Sequence, residues 1–128
     1  FDSIDTVKLC IEVFDLMIAS FKVNKENMLS ACKNGFINAT DLADYLVRKG
    51  LPFRSAYKVS GRIIAYCIEN NRILETLTLE EYKKFDDLFE NDVYEAVDLD
   101  ACVAKRISEG GTSIESVEKQ IEWVRAKI

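Results

Sequence analysis

The strongest constraint on this chain is a corner between two helices. Residues 38–57 read NATDLADYLVRKGLPFRSAY. Leu42, Tyr45 and Leu46 fall three and four apart, which places them on one helical face. Asn38 or Thr40 offers a side-chain oxygen to cap the free N–H groups at the start. Lys49 stands at the C-terminal end, where the helix dipole favours a cation. Gly50 can take the left-handed conformation that closes a helix, and Pro52 cannot continue one. Because proline is tolerated in a first helical turn, a second helix is expected from Pro52. Phe53, Tyr57 and Ser60 or Gly61 then lie along one side of it.

A long apolar seam precedes this corner. Ile4, Val7, Ile11, Phe14, Ile18 and Phe21 are spaced alternately three and four apart, the pattern of a helix packed lengthwise against others. Leu9, Cys10, Val13, Leu16 and Met17 carry the apolar surface well round the cylinder, which suits the inside of a bundle. Two origins fit: a core helix of a small α-domain, or the end of a long bundle helix whose partners lie elsewhere. The chain opens at Phe1 directly in this pattern, so a piece of a longer protein is expected.

Further helices follow from caps and breakers. Asn24 is placed to cap a short helix over 25–33, stopped near Asn34 and Gly35. The helix from Pro52 is expected to reach about Glu69, burying Phe53, Ala56, Val59, Ile63, Ile64 and Cys67, with Asn70 and Asn71 ending it. Thr78 and Glu81 have capping-box spacing. The helix after them should turn Tyr82, Phe85, Leu88 and Phe89 inward and end near Asp92 and Val93. Another is expected over 99–107. Gly110 and Gly111 break the chain, Thr112 with Glu115 suggests a second capping box, and a last helix carries Val117, Ile121 and Val124 with Trp123 on its flank.

No run alternates as a strand does, and one proline with five glycines leaves few turns for an all-β fold. The expected fold class is all-α. Residues 1–23 are read as the C-terminal end of a bundle helix and 24–128 as a compact multi-helix domain.

Composition narrows the chemistry. Twenty-two acidic against 17 basic residues give a net charge of −5, unlike a nucleic-acid-binding surface. No apolar run approaches the roughly 20 residues that a membrane span needs. There is no histidine, so the commonest general acid–base and the Ser-His and Cys-His nucleophile pairs are missing. Cys10, Cys32, Cys67 and Cys102 are far apart, which argues against a zinc site and for reduced thiols in a cytoplasmic protein. Glu80–Glu81 and Asp86–Asp87 read as solvated helix faces, and Asp41 and Asp44 as charges favoured near a helix N-terminus. Arg48, Lys49 and Arg54 gather at the corner as dipole compensation and solvated surface, and Tyr45 and Tyr57 read as partly buried packing residues. The Gly110–Gly111–Thr112 turn lacks the lysine of a phosphate loop and reads as structural.

Several stretches resemble one family. ATDLADYLVRKGLPFRSA is similar to the start of the C-terminal domain of the argininosuccinate lyases, within the fumarase/aspartase superfamily. That run ordinarily ends Phe-Arg-x-Ala-His, and Tyr57 stands here in the histidine's place. LCIEVFDLMIASFKVNKENM resembles the end of the family's central bundle helix. LTLEEYKKFDDLFENDVYEAVD, and the pattern Arg106, Gly110-Gly111-Thr112, Gln120-Ile121, resemble its closing helices.

The resemblance implies β-elimination of argininosuccinate to arginine and fumarate, as in arginine biosynthesis. It implies neither metal nor organic cofactor, and a cytoplasmic homotetramer whose sites combine three subunits. The family's serine loop, G-S-S-x-M-P-x-K-x-N, and its catalytic histidine do not occur in these residues. No catalytic, cofactor-binding or metal residue is therefore assigned. The segment itself is expected to be architectural and inactive, capping one end of the bundle. A free-standing helical interaction module is the alternative, and a different lyase of the superfamily is disfavoured by ADYLVRKG-x-PFR.

Overall fold

Gly50 forms the corner as expected, with φ of 103° in the left-handed region. The computed structural model describes residues 1–128 and contains eight α-helices, one 3-10 turn and no strand. Helix α3 (Ala39–Arg48) ends in a Schellman arrangement: Leu51 N–H donates to the Leu46 carbonyl and Gly50 N–H to that of Val47. Pro52 then serves as N-cap of α4 (Phe53–Glu69) with extended ψ of 137°. Asn71, at φ 51°, closes α4 by the same device.

The α3 face is as the spacing requires, with Leu42, Tyr45 and Leu46 all buried. Its cap is not. Neither Asn38 nor Thr40 accepts a capping bond, because Thr40 lies inside the helix and Asn38 is recruited elsewhere. The buried Asn38 amide donates to the Val97 carbonyl at 2.6 Å, bridging 59 residues.

Helix α4 buries Ala56, Val59, Ser60, Ile63 and Cys67. Phe53, expected inside, is 55% exposed, and Ile64 is only half-buried. The buried stripe is rotated because a polar residue belongs to it: Ser60 Oγ donates to the Ala39 carbonyl at 2.9 Å. Gly61 sits mid-helix on the outer side, where a Cβ would meet nothing within 4 Å. Its cost is about 1 kcal/mol against alanine.

A 3-10 turn, Leu74–Thr76, leads to α5 (Leu79–Lys83), α6 (Val93–Val97) and α7 (Leu99–Ala104). The Thr78–Glu81 capping box forms in both directions. Helix α5 is far shorter than its sequence suggests, since Asp86 makes a side-chain turn to Leu88 N–H that breaks the helix before Asp92. Tyr82 and Phe89 still reach the core, Phe85 is half-buried and Leu88 lies at the surface. Tyr45 and Phe89 stack at 5.8 Å between ring centroids. Helix α7 stops at Ala104 rather than 107.

The core runs from Leu42 to Val97, drawn from α3, α4, α5, α6 and the connections between them. The remaining helices stand outside it. Helices α1 (Asp2–Ala19) and α2 (Lys25–Asn34) bury no residue, and α8 (Ile114–Arg125) buries only Ser116. Asn24 caps α2 as expected, accepting from Asn27 N–H. The accessible surface is 9817 Å² for 14.6 kDa. A monomer of that mass normally exposes about 6,900 Å². None of the helices is long and apolar enough to cross a membrane.

Leu46 is fully buried between α4 and α6. Leu46→Ala is expected to cost about 3 kcal/mol, read as a lower urea midpoint; a loss under about 1 kcal/mol would place the core elsewhere.

Candidate functional site

Two polar constructions organise the surface around the core. The first is the turn from Arg106 to Gln120. Gly110 is left-handed at φ 74°, and a Cβ on Gly111 would run into the Arg106 carbonyl oxygen. That oxygen accepts from Ser113 N–H at 3.2 Å and from Ser116 Oγ at 3.4 Å. Gln120 Nε2 donates to the Gly111 carbonyl at 2.9 Å. Ser113, not Thr112, caps α8, and Glu115 pairs with Lys119 instead of completing a capping box. The capping reading fails by one residue because Ser113 is the residue held inward.

Arg106 also ties this turn to α3. Its Nη2 donates to both Asp41 oxygens at 2.9 and 2.8 Å, and the Asp41 side chain is only 8% exposed. Asp41 is thus half of a tether spanning 65 residues, not merely a dipole-compensating charge. Spacing alone could not find this pair, although Arg106 already stood out within its motif.

The second construction lies at the C-terminal end of α3. Tyr45 OH donates to Asp92 Oδ1 at 2.6 Å and accepts from Glu90 N–H at 3.0 Å. Lys49 Nζ pairs with Glu90 and, at 2.9 Å, with Asp92. Burial and then the Asp92 bond push the Tyr45 phenol up, the bonds from Tyr45 and Lys49 pull Asp92 down, and those acids push Lys49 up. Lys49 is therefore occupied, while Arg48 and Arg54 remain exposed.

The other singled-out residues are dispersed. Tyr57 is 63% exposed, not partly buried, and its ring lies 6.2 Å from that of Phe53. Glu81 is drawn into the fold: besides capping, it accepts from Tyr66 OH at 3.1 Å. Its carboxyl is held low, chiefly by the Thr78 backbone N–H. Cys67 and Cys102 are buried, and burial pushes each thiol up to about 11, far from a reactive thiolate. No three acidic or sulfur side chains converge as metal ligands do.

The groove beside the Arg106–Gln120 turn, of about 600 Å³, is lined by Ser108, Glu109, Lys119, Gln120 and Trp123 among others. Lys119 is already paired with Glu115 at 2.6 Å. One buried oxygen, Glu75 Oε2, has no hydrogen-bond partner.

Fold and site thus define a class: an all-α domain whose special residues hold its own turns. Residues 36–104 match the family model described as argininosuccinate lyase C-terminal. Over 122 residues the chain is 53% identical to an argininosuccinate lyase of Caldicellulosiruptor bescii, covering 95% of this chain and 26% of that protein. With the argininosuccinate lyase of Acetivibrio thermocellus it shares 52% over 122 residues, covering 95% and 27%. With that of Desulforamulus reducens it shares 47% over 128 residues, covering 100% and 28%. The chain belongs to the argininosuccinate lyase family and spans about a quarter of the length of the curated relatives it matches.

Removing the tether should loosen the C-terminal segment while sparing the core. Asp41→Ala is expected to cost about 2 kcal/mol and to speed hydrogen exchange at Ser113 and Ser116, with α3 and α4 amides still protected. Unchanged exchange there would remove the tether's role. Acid should also destabilise the fold. The depressed Glu81 and Asp92 carboxyls contribute stability that is complete above their ordinary values of 4.5 and 3.8 and is lost as pH falls through the folded-state values. Glu81→Gln with Asp92→Asn should flatten the fall of the urea midpoint in that acid range.

Proposed function

We propose that this chain is the supporting C-terminal segment of an argininosuccinate lyase, whose whole protein cleaves argininosuccinate to arginine and fumarate by β-elimination. The observation that carries this reading is the identity of about one residue in two with argininosuccinate lyases over nearly the whole chain. In such a reaction a base takes the proton from the carbon beside a carboxylate, and an acid protonates the departing guanidinium nitrogen. The present residues contain no histidine and no serine loop to perform either transfer.

The segment's part is structural. Residues 1–23 act as the end of a bundle helix, presenting the Ile4–Phe21 seam to other helices, and 24–128 form the domain that caps the bundle. The assembled enzyme is a cytoplasmic homotetramer that needs no metal or organic cofactor and no nucleic-acid partner. The histidine in whose place Tyr57 stands carries no assigned catalytic role in this reading, so the proposed chemistry does not rest on that position. A free-standing interaction module is the second reading, favoured by the fully exposed face of α1.

Fumarate release from argininosuccinate distinguishes them. The uninterrupted gene product should turn over substrate while these 128 residues alone give no absorbance change. A folded, inactive long chain would favour the module, and activity of the short chain would overturn the architectural role.

A further inference from the structure

Residues 106–128 are fastened to the core at one point. The bond from the Arg106 guanidinium to Asp41 is the only hydrogen bond or ion pair that joins them to any residue before Val103. Internally the segment is well braced: Ser113 N–H and Ser116 Oγ both donate to the Arg106 carbonyl, and Gln120 closes on Gly111. The attachment is weaker in kind. A single nitrogen, Nη2, serves both Asp41 oxygens, in place of the two parallel bonds that make an arginine–carboxylate fork strong. The Arg106 side chain is also 45% exposed, so water competes for it. Asp41, by contrast, is buried in the first turn of α3 and belongs to the core side.

Behind this attachment lies a thiol. A cleft of about 200 Å³ is bounded by Asn38 and Asp41, by Leu99 and Cys102 of α7, and by Arg106 and Thr112 among others. Cys102 is 5% exposed, and its Sγ donates to the Ala96 carbonyl at 3.2 Å. Burial and then the Asp41 charge hold the thiol protonated. A cysteine enclosed in this way is inert until something beside it moves.

We infer that residues 106–128 act as a strap with the Asp41–Arg106 pair as its catch, and that release of the catch opens the cleft and bares Cys102. The strap swings from Lys105, where α7 ends. The device is made of contacts within the chain, so it goes beyond the lyase reading and does not rest on it.

Alkylation of the native, uninterrupted gene product by iodoacetamide tests this, with each cysteine read separately by peptide mass spectrometry. Cys67, fully buried in the core, is the internal reference. Arg106→Met and Asp41→Asn both keep the bulk of the cleft wall. Each should speed modification of Cys102 at least about tenfold and leave Cys67 unchanged. The two substitutions change the charge beside the thiol in opposite senses, so a shared gain reports opening and not a shifted thiol. Hydrogen exchange at Ser113 and Ser116 should rise by the same factor, since one opening frees both. In the unaltered protein, added salt should favour Cys102 over Cys67, because it screens the half-exposed pair. Cys102 as slow in both variants as in the unaltered protein overturns the inference. So does a gain in one variant alone, which is an effect of charge, or a salt series in which Cys67 rises in step with Cys102, which is general loosening. Fumarate release plays no part in this readout, so failure of the lyase reading leaves it intact.

Discussion

The packed core of this molecule is fastened to α3. Ten residues make a helix of about 15 Å, too short to persist alone in water, so its stability comes from what surrounds it. Helix α4 covers one side and α6 another, and Leu42, Ala43 and Leu46 are wholly buried between them. The polar bonds share this focus. Ser60 reaches the start of α3, Asn38 joins that start to Val97, Asp41 holds Arg106, and Tyr45 with Lys49 anchors the Glu90–Asp92 turn. Each bond bridges distant parts of the chain, and those of Ser60, Asn38, Asp41 and Tyr45 satisfy groups that burial would otherwise leave costly.

The legible parts of the fold were those set by local rules. Gly50, Asn71, the Asn24 cap and the Thr78–Glu81 box depend on residues within a turn of each other, and all four form. Long-range competition decided the others. Asn38 is a good cap by type, but the Val97 carbonyl needs its amide more. Phe53 and Ile64 were expected inside because apolar periodicity cannot register a serine that earns its place in the buried stripe through Ala39. The aromatic spacing of Tyr82, Phe85 and Phe89 suits a helix, yet a turn at Asp86 delivers the same rings to the core.

The polar site divides the same way. Arg106, Gly110, Gly111 and Gln120 were visible as a pattern, and the structure gives the pattern its reason: a turn so tight that Gly111 must lack a side chain. Its partner Asp41 was legible only as a charge near a helix start. Residues matched to the family, 36–104, include every member of the Leu42–Val97 core, whereas α1, α2 and α8 fall outside the match and outside the core. Sequence similarity nonetheless extends over 95% of the chain. The exposed helices are thus part of what the relatives share, although they add little to this domain's own packing.

Their exposure has a thermodynamic consequence. The denaturant slope and the heat-capacity increment of unfolding both scale with the surface newly wetted when the native state is lost. In a single copy, the apolar sides of α1 and α8 are wet before unfolding begins. Both quantities therefore fall below those expected for 128 residues, as if a shorter protein were being unfolded. A small heat-capacity increment flattens the stability curve, so an isolated copy changes little in stability between cold and warm, and melts without a steep approach.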